Sequence, residues 1–560
     1  MKKEVKKFDL VKISGAMVLL TVLLTWIIPQ GTFSGTEMQI GEITRIGIFD
    51  FFTYGLLGMY YFTVLVTFIF VLGGFYQVLS RIGGYQALIT KLAKIFKKKE
   101  ILFTLLVSFI FTAISAVTNE YILLLAVVPF IMSIMKEMKF TEIQTPIITA
   151  SSPEGARDFI VPSRKYKGKF YALPQAPQIY KQLLMVSGFN KYFQIAPCFR
   201  DEDCRADRTL EFYQLDLEMS FATEEDVYAV GEKVFYNVFK TFGNKEVSPY
   251  PFRRIAYKDA MLNYGSDKPD LRNPLIIKDA TNILSKMDFA PFNGKMIRVI
   301  KTENMDKSNS WYKQVEEFIK GKGASGLATI KITEDGTFKS SLDKFMTDEI
   351  RTELKNEYEL KEGDALFILA DEPKKCPKLA GALRTYLGEE LNLINKDKFE
   401  FCIINDFPMY EENEETGAID FGHNPFSMPK GGLEALNNED PLNITAIQYD
   451  FVCNGYEMSS GAVRNHDIEI MKKAFDIVGY DEEVIKNKFR SLYTAFQFGA
   501  PPHAGMAPGI DRIIMLLTGE ENLREVQIFP PNVSGVDLLM GGPIELEEKQ
   551  LRELHIKVRD

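Results

Sequence analysis

Cysteine is scarce: among 560 residues there are five, Cys198, Cys204, Cys376, Cys402 and Cys453. No two form a C-x-x-C pair and no histidine stands at metal-ligand spacing, which argues against a zinc ribbon and against a disulfide framework. Free thiols in a reducing compartment are expected. Basic charge is also short, with 66 Lys and Arg against 75 Asp and Glu and a formal net charge of −9. That balance argues against a generic nucleic-acid coat, so any grip on a phosphate backbone must come from a local surface. The first apolar run is followed by "WIIPQGTFSG", which offers no small-x-small cleavage site and so speaks against a removed signal peptide. After residue 140 there is no further long apolar run.

What is present divides the chain in two. Residues 1–140 carry 14 Lys and Arg against 8 Asp and Glu, whereas residues 141–560 carry 52 against 67. Uncharged runs at 13–28, 51–80 and 101–119, with a shorter one at 121–135, each suit a bilayer crossing. Four crossings place the basic clusters at the N-terminus, at 81–99 and at Lys136 and Lys139 on the cytoplasmic side, with everything after them. Glu120 sits between two apolar runs, where a charge needs protein, water or substrate beside it. Residues 1–138, above all "AVTNEYILLLAVVPFIMSIM", resemble the N-terminal part of the C4-dicarboxylate-carrier-like permeases. An all-α transmembrane segment of about four helices, tethering the chain to the plasma membrane, is the expectation. A secondary carrier needs two repeated halves around a midplane site, and nothing after residue 140 reads as the second.

From Phe140 onward, alternation, amphipathic helices and Gly/Pro punctuation read as α+β sequence. "FTEIQTPIITASSPEGARDF" and "YALPQAPQIYKQLLM" put Glu154, Gln178 and Lys181 near element ends. "YFQIAPCFRDEDCRADRTLEFYQLDLEMSF" predicts an antiparallel hairpin with a charged tip. "YDFVCNGYEMSSGAVRNHD" places Asp450 and Glu457 in a strand-turn-strand pattern with Arg464 beyond it. Two carboxylates and an arginine suit a divalent metal, phosphate oxygens and an acidic substrate. In "FGAPPHAGMAPGIDRIIMLLTG", small residues let the backbone approach a ligand, and Arg512 opens an apolar helix whose N-terminus favours anions.

These stretches resemble the three motifs of the class II aminoacyl-tRNA synthetases, and in detail the bacterial aspartyl-tRNA synthetase family. "FTEIQTP" resembles the end of motif 1, "FRDED" with "EFYQLD" motif 2, and "GAPPHAGMAPGIDRI" motif 3. The resemblance implies a catalytic core with an antiparallel sheet flanked by helices over 139–272 and 399–560. Residues 273–398, with "GASGLATIKI" and "LAGALRTYLGEELNLI", resemble the GAD insertion of bacterial members. It further implies ATP and L-aspartate as substrates, Mg²⁺ as cofactor, tRNA(Asp) as acceptor and a homodimer through the synthetase domain.

By motif match, Arg200, Glu457 and Arg512 are the catalytic residues. Arg200 is expected on the α-phosphate and the substrate carboxylate. Asp201, Glu202, Phe212, Gly509, Ile510 and Asp511 are expected around ATP, with Glu202 on the adenine amino group and Phe212 stacked on the base. Asp450 and Glu457 are expected to hold Mg²⁺, and Arg512 the far end of the triphosphate. Lys181 and Arg464 would face the aspartate side chain, Glu154, Gln178 and Asp216 its ammonium group, and His423 of "FGHNPF" the substrate loop.

Three departures qualify the match. Asn424 stands where many members have a second histidine, and "MSSGAVRNH" replaces a more Gly-rich turn. Both variants resemble a subgroup that includes enzymes charging tRNA(Asp) and tRNA(Asn) alike. Thr209 stands where a glutamine often occurs near ATP. Residues 1–138 do not read as the anticodon-binding OB barrel of the family, so adenylate formation with poor tRNA charging is expected. Two other readings are a permease fragment fused to a synthetase-like domain and an inactive synthetase paralogue acting as a binding module. The latter would be expected to lose Arg200, Glu457, Arg464 or Arg512, and all four are present.

Overall fold

The computed structural model describes residues 31–34, 37–40, 121–151, 155–413 and 416–559, and the chain divides into two units, 1–106 and 107–560. In the first unit, strands Gly31–Ser34 and Glu37–Ile40 pair as an antiparallel hairpin with Gly31 opposite Ile40. This hairpin lies between the first two apolar runs, a connection that the all-helical expectation lacks. The runs at 13–28, 51–80 and 101–119 lie outside the described residues. Among the described residues no helix is long and apolar enough to cross a membrane.

The fourth run departs from expectation. Among the described residues it forms helix α1, Tyr121–Glu137. Val127, Phe130, Ile131, Ile134 and Met135 are buried in the main core of the second unit. Helix α1 packs on α3 (Glu224–Phe242), where Phe130 meets Phe242 edge-on at 5.2 Å. The crossing expected at 121–135 is not confirmed: the described part of this segment has a protein core to enter, and apolar side chains are stabilised there as in lipid.

Eight strands build the main sheet of that unit: β1 Thr141–Glu142, β2 Lys191–Phe199, β3 Glu211–Ser220, β4 Arg253–Ala256, β5 Phe401–Asn405, β6 Gln448–Cys453, β7 Tyr456–Val463 and β8 His503–Pro508. Their order is β1-β2-β3-β8-β7-β6-β5-β4. Only the outer pairs β1–β2 and β5–β4 are parallel; the interior is antiparallel. The predicted β2–β3 hairpin forms with Lys191 opposite Met219 and Phe199 opposite Glu211. Between β6 and β7, Asn454 and Gly455 take φ of 53° and 88°, the left-handed pair that a two-residue hairpin turn requires.

Alternation along each strand separates the two faces. Leu215, Leu217 and Met219 of β3 and Tyr449, Phe451 and Cys453 of β6 join the core beneath α1, α3 and helix α4 (Ile510–Thr518). The residues between them, Gln214, Asp216, Glu218, Gln448 and Asp450, belong to the opposite face, with helix α2 (Gln178–Val186) alongside. A capping box between Thr223 and Asp226 fixes the start of α3.

Between β4 and β5 the chain builds a separate five-stranded antiparallel sheet in the order Ile277–Asp279, Met296–Thr302, Ala365–Asp371, Ala328–Ile332, Phe338–Lys339. One of its two apolar clusters takes in helices Asn309–Gly321 and Cys376–Glu390, the other Asp348–Glu357. Buried Arg384 ties this module to the chain leading into it, donating to the carbonyls of Asp270, Asn273 and Leu275 at 2.6–3.0 Å.

Candidate active site

A cavity of about 390 Å³ opens on the polar face of the main sheet. Gln178, Lys181, Arg200, Glu202, Phe212, His423, Asp450, Glu457, Arg464, Gly509, Asp511 and Arg512 all line it, so most of the residues expected from the sequence converge here. Glu154 lies outside the described residues.

Under the cavity, four charged side chains form a buried cluster. Lys181 Nζ lies 2.8 Å from Asp216 Oδ2 and 3.6 Å from Glu218 Oε2. Arg464 grips Glu218 with two bonds, Nε to Oε1 at 2.9 Å and Nη2 to Oε2 at 3.2 Å. All four are at most 2% exposed. Burial raises the Asp216 carboxyl, with Lys181 offsetting part of the effect. Burial would raise Glu218 too, but Arg464 and Lys181 outweigh it and hold that carboxyl below its ordinary value. Asp216 Oδ1 is buried without a hydrogen-bond partner, a free acceptor beside a lysine. Gly505 makes room for the cluster: a Cβ there would lie 2.2 Å from Glu218 Oε2 and 2.1 Å from the Leu217 carbonyl oxygen.

A second charge grouping surrounds the β6–β7 carboxylates. Glu457 Oε2 lies 2.9 Å from Lys268 Nζ, and Arg512 Nη1 donates to the Glu457 carbonyl at 2.6 Å while Nη2 reaches Asp207 at 3.3–3.4 Å. Burial would raise Glu457; Lys268 and Arg512 overcome it and keep the carboxyl low. Asp450 goes the other way, raised by burial and by the Glu457 charge, and its Oδ1 has no hydrogen-bond partner. Among the described residues no group of three or more His, Cys, Asp or Glu gathers as a metal site. Two carboxylates with one free buried oxygen nonetheless fit Mg²⁺, which takes one or two protein carboxylates and completes its shell with phosphate oxygens and water.

Arg200 lies at the end of β2 with its guanidinium 5.0 Å from the Phe212 ring, and its buried Nε has no hydrogen-bond partner. Such a donor is suited to an anion. Glu202 faces Arg208 at 3.5 Å. Thr209 is buried in the wall with an unpartnered hydroxyl.

Three expected residues, Asp201, Asp216 and Ile510, stand outside the cavity lining. Asp201 does not line the cavity; its carboxylate lies 3.9 Å from the exposed Arg157. Ile510 is fully buried in the core as the first residue of α4. Asp511 lines the cavity but already accepts from Tyr213 N at 2.8 Å and Gln527 Nε2 at 3.3 Å, joining α4 to β3. Sequence reasoning missed Glu218, although "LDLEM" places it two residues after Asp216 on the same strand face. It also missed Lys268, which no local pattern marks because its partner Glu457 lies beyond the inserted module.

Residues 113–533 match the family described as tRNA synthetases class II (D, K and N). The chain belongs to the class II tRNA synthetases. It is 54% identical over 451 residues to the aspartate–tRNA(Asp/Asn) ligase of Rickettsia akari, covering 78% of this chain and 75% of that protein. With the ligase of the same name from Ehrlichia chaffeensis it shares 54% identity over 449 residues, 79% of this chain and 76% of the other. Residues 9–154 match the C4-dicarboxylate anaerobic carrier family, and the two family matches overlap over 113–154. In this synthetase the overlap contains all of α1.

Proposed function

We infer that the chain is an aspartate–tRNA ligase, which joins the carboxylate of L-aspartate to the α-phosphate of ATP, releases pyrophosphate and passes the aspartyl group to tRNA. The observation that carries the reading is the pair of buried cations, Lys181 and Arg464, brought to one cavity wall by α2 and by the end of β7. Two cations match a side-chain carboxylate. The neutral amide of asparagine would leave them underpaired, and burial makes that costly.

The protein's part is to position the reactants and neutralise charge. Arg200 supports contact with the α-phosphate through its unpartnered Nε, and Phe212 beside it offers a face for a base. Asp450 and Glu457 would hold Mg²⁺, which when bound screens phosphate charge. Arg512 and Lys268 bring positive charge to the region where pyrophosphate charge would grow. Asp216 Oδ1 and the Gln178 amide oxygen are acceptors suited to the ammonium group, and His423 lies exposed at the cavity wall. We propose tRNA(Asp) and tRNA(Asn) as acceptors; the names of the relatives and the variants at Asn424 and "MSSGAVRNH" favour both.

Aspartate-dependent exchange of pyrophosphate into ATP tests the reading. Exchange with aspartate and none with asparagine is expected, and a folded chain with no exchange overturns it. Transfer to tRNA is proposed to be slow, a homodimer is proposed through the second unit, and residues 9–120 are proposed as a membrane tether on the strength of the carrier-family match. Recovery of the chain in the soluble fraction after membrane pelleting would remove the tether.

A further inference from the structure

Behind the cavity wall runs a chain of hydrogen bonds with a fixed direction. His503, fully buried on β8, places Nδ1 2.7 Å from the Pro501 carbonyl oxygen. A carbonyl only accepts, so Nδ1 carries the proton and Nε2 of the neutral ring is an acceptor. Gln182 lies 3.1 Å from that Nε2 and must therefore turn its NH₂ toward it. The Gln182 oxygen then accepts from Gln178 Nε2 at 3.0 Å. Gln178 lines the cavity, its nitrogen is committed to Gln182, and its oxygen has no partner among the described residues. Each link decides the next, and the result is an acceptor at the ligand.

We propose that His503 is a positioning residue for substrate recognition: through Gln182 it fixes the Gln178 amide so that its oxygen, not its NH₂, meets the ligand, selecting an ammonium group there. The proposal rests on the aspartate reading of the cavity and adds to it the device that sets one contact's polarity. An amide is nearly symmetric in shape, and an inverted Gln178 would fit equally well while presenting donors to a cation. Only the distant histidine removes that choice.

Protonating His503 would reverse the relay. Nε2–H would call for the Gln182 oxygen, Gln182 would offer NH₂ to Gln178, and Gln178 would turn NH₂ to the ligand. The groups facing His503 are Gln182 from α2, Glu218 from β3, Arg464 beyond β7, and His466, whose ring lies 6.2 Å away. Burial, aided by Arg464 and His466 against the opposing pull of Glu218 and of the Pro501 hydrogen bond, holds the imidazole below its ordinary value.

Pyrophosphate exchange by the full-length chain, read as separate KM values for aspartate and ATP, is the test. His503→Asn, which keeps a donor for Pro501 but offers nothing to Gln182, and Gln182→Met are expected to raise the aspartate KM at least ~10-fold, one lost acceptor to a charged donor. The ATP KM and kcat should stay within about threefold. Gln182→Glu is the rescue: a carboxylate accepts from Gln178 and from a protonated His503, so the aspartate KM should remain near the parent value. In the parent, the aspartate KM should rise as pH falls through the lowered imidazole pKa, and Gln182→Glu should abolish that rise. Folded His503→Asn with an unchanged aspartate KM, or Gln182→Glu as impaired as Gln182→Met, overturns the relay. Absence of exchange in the parent chain would instead overturn the aspartate reading itself.

Discussion

Replacing Glu218 by glutamine removes one charge from a cluster in which Lys181 and Arg464 face Asp216 and Glu218. Arg464 is 2% exposed, and Glu218 is its one side-chain hydrogen-bond partner among the described residues, so the lost carboxylate is only poorly replaced by water. Glutamine can still accept from Arg464 Nε, but its NH₂ then confronts Nη2, donor against donor. Breaking a buried pair costs roughly 3–5 kcal/mol, and Asp216 keeps Lys181 partly neutralised, so about 3 kcal/mol is expected. With a urea m-value near ~3 kcal/mol/M for a unit of this size, the midpoint should fall by about 1 M. Because Glu218 is held below its ordinary pKa, its contribution is fully present above the usual carboxylate range and is lost as pH falls through the lowered value. The difference between parent and variant should therefore shrink in acid. The aspartate KM should rise with it, since Arg464 loses the group that aims it. A variant whose midpoint moves less than ~0.3 M, with an unchanged aspartate KM, would refute the argument that Glu218 holds the guanidinium.

Two further outcomes follow from the same structure. Asp450→Asn removes the carboxylate with the free buried oxygen, so the Mg²⁺ concentration giving half-maximal exchange should rise at least ~10-fold, with the aspartate KM little changed; an unaltered Mg²⁺ titration would remove Asp450 from the metal site. Ile131→Ala deletes a fully buried side chain from α1 and should destabilise the second unit by about 2–5 kcal/mol in denaturant titrations of the parent and variant; a neutral effect would detach α1 from that core.

Much of the site was legible because strands report their faces through alternation. In "EFYQLDLEMS" the apolar positions predict the buried side and the polar ones the cavity side, and both hairpins formed where the pattern placed them. The same rule, carried two residues further, marks Glu218. Long-range partners were not legible. Lys268 meets Glu457 across the inserted module, and His503 meets Gln182 from the far end of the chain, pairings that only the sheet order β3-β8-β7-β6 creates. Ile510 was read as a ligand contact because a motif names positions, whereas helix geometry sends its side chain into the core; Asp511 lines the cavity while also accepting from the backbone of β3.

Helix α1 was the hardest segment to read, and the reason is physical. A bilayer and a protein core both reward an apolar helix, so a segment such as "YILLLAVVPFIMSIM" satisfies either and its composition cannot decide between them. What distinguishes them is one-sidedness. In the structure Val127, Phe130, Ile131 and Ile134 are buried, at i, i+3, i+4 and i+7, while Val128 and Met132 between them are only partly covered. That stripe is the signature of a helix lying on a globular surface, but here the uncovered positions are also apolar and conceal it. Pro129, which removes a backbone donor, falls on the exposed side, where water can satisfy the freed carbonyl. A segment matched by both a carrier family and a synthetase family thus meets the packing demands of the second through one buried stripe, Val127, Phe130, Ile131, Ile134 and Met135.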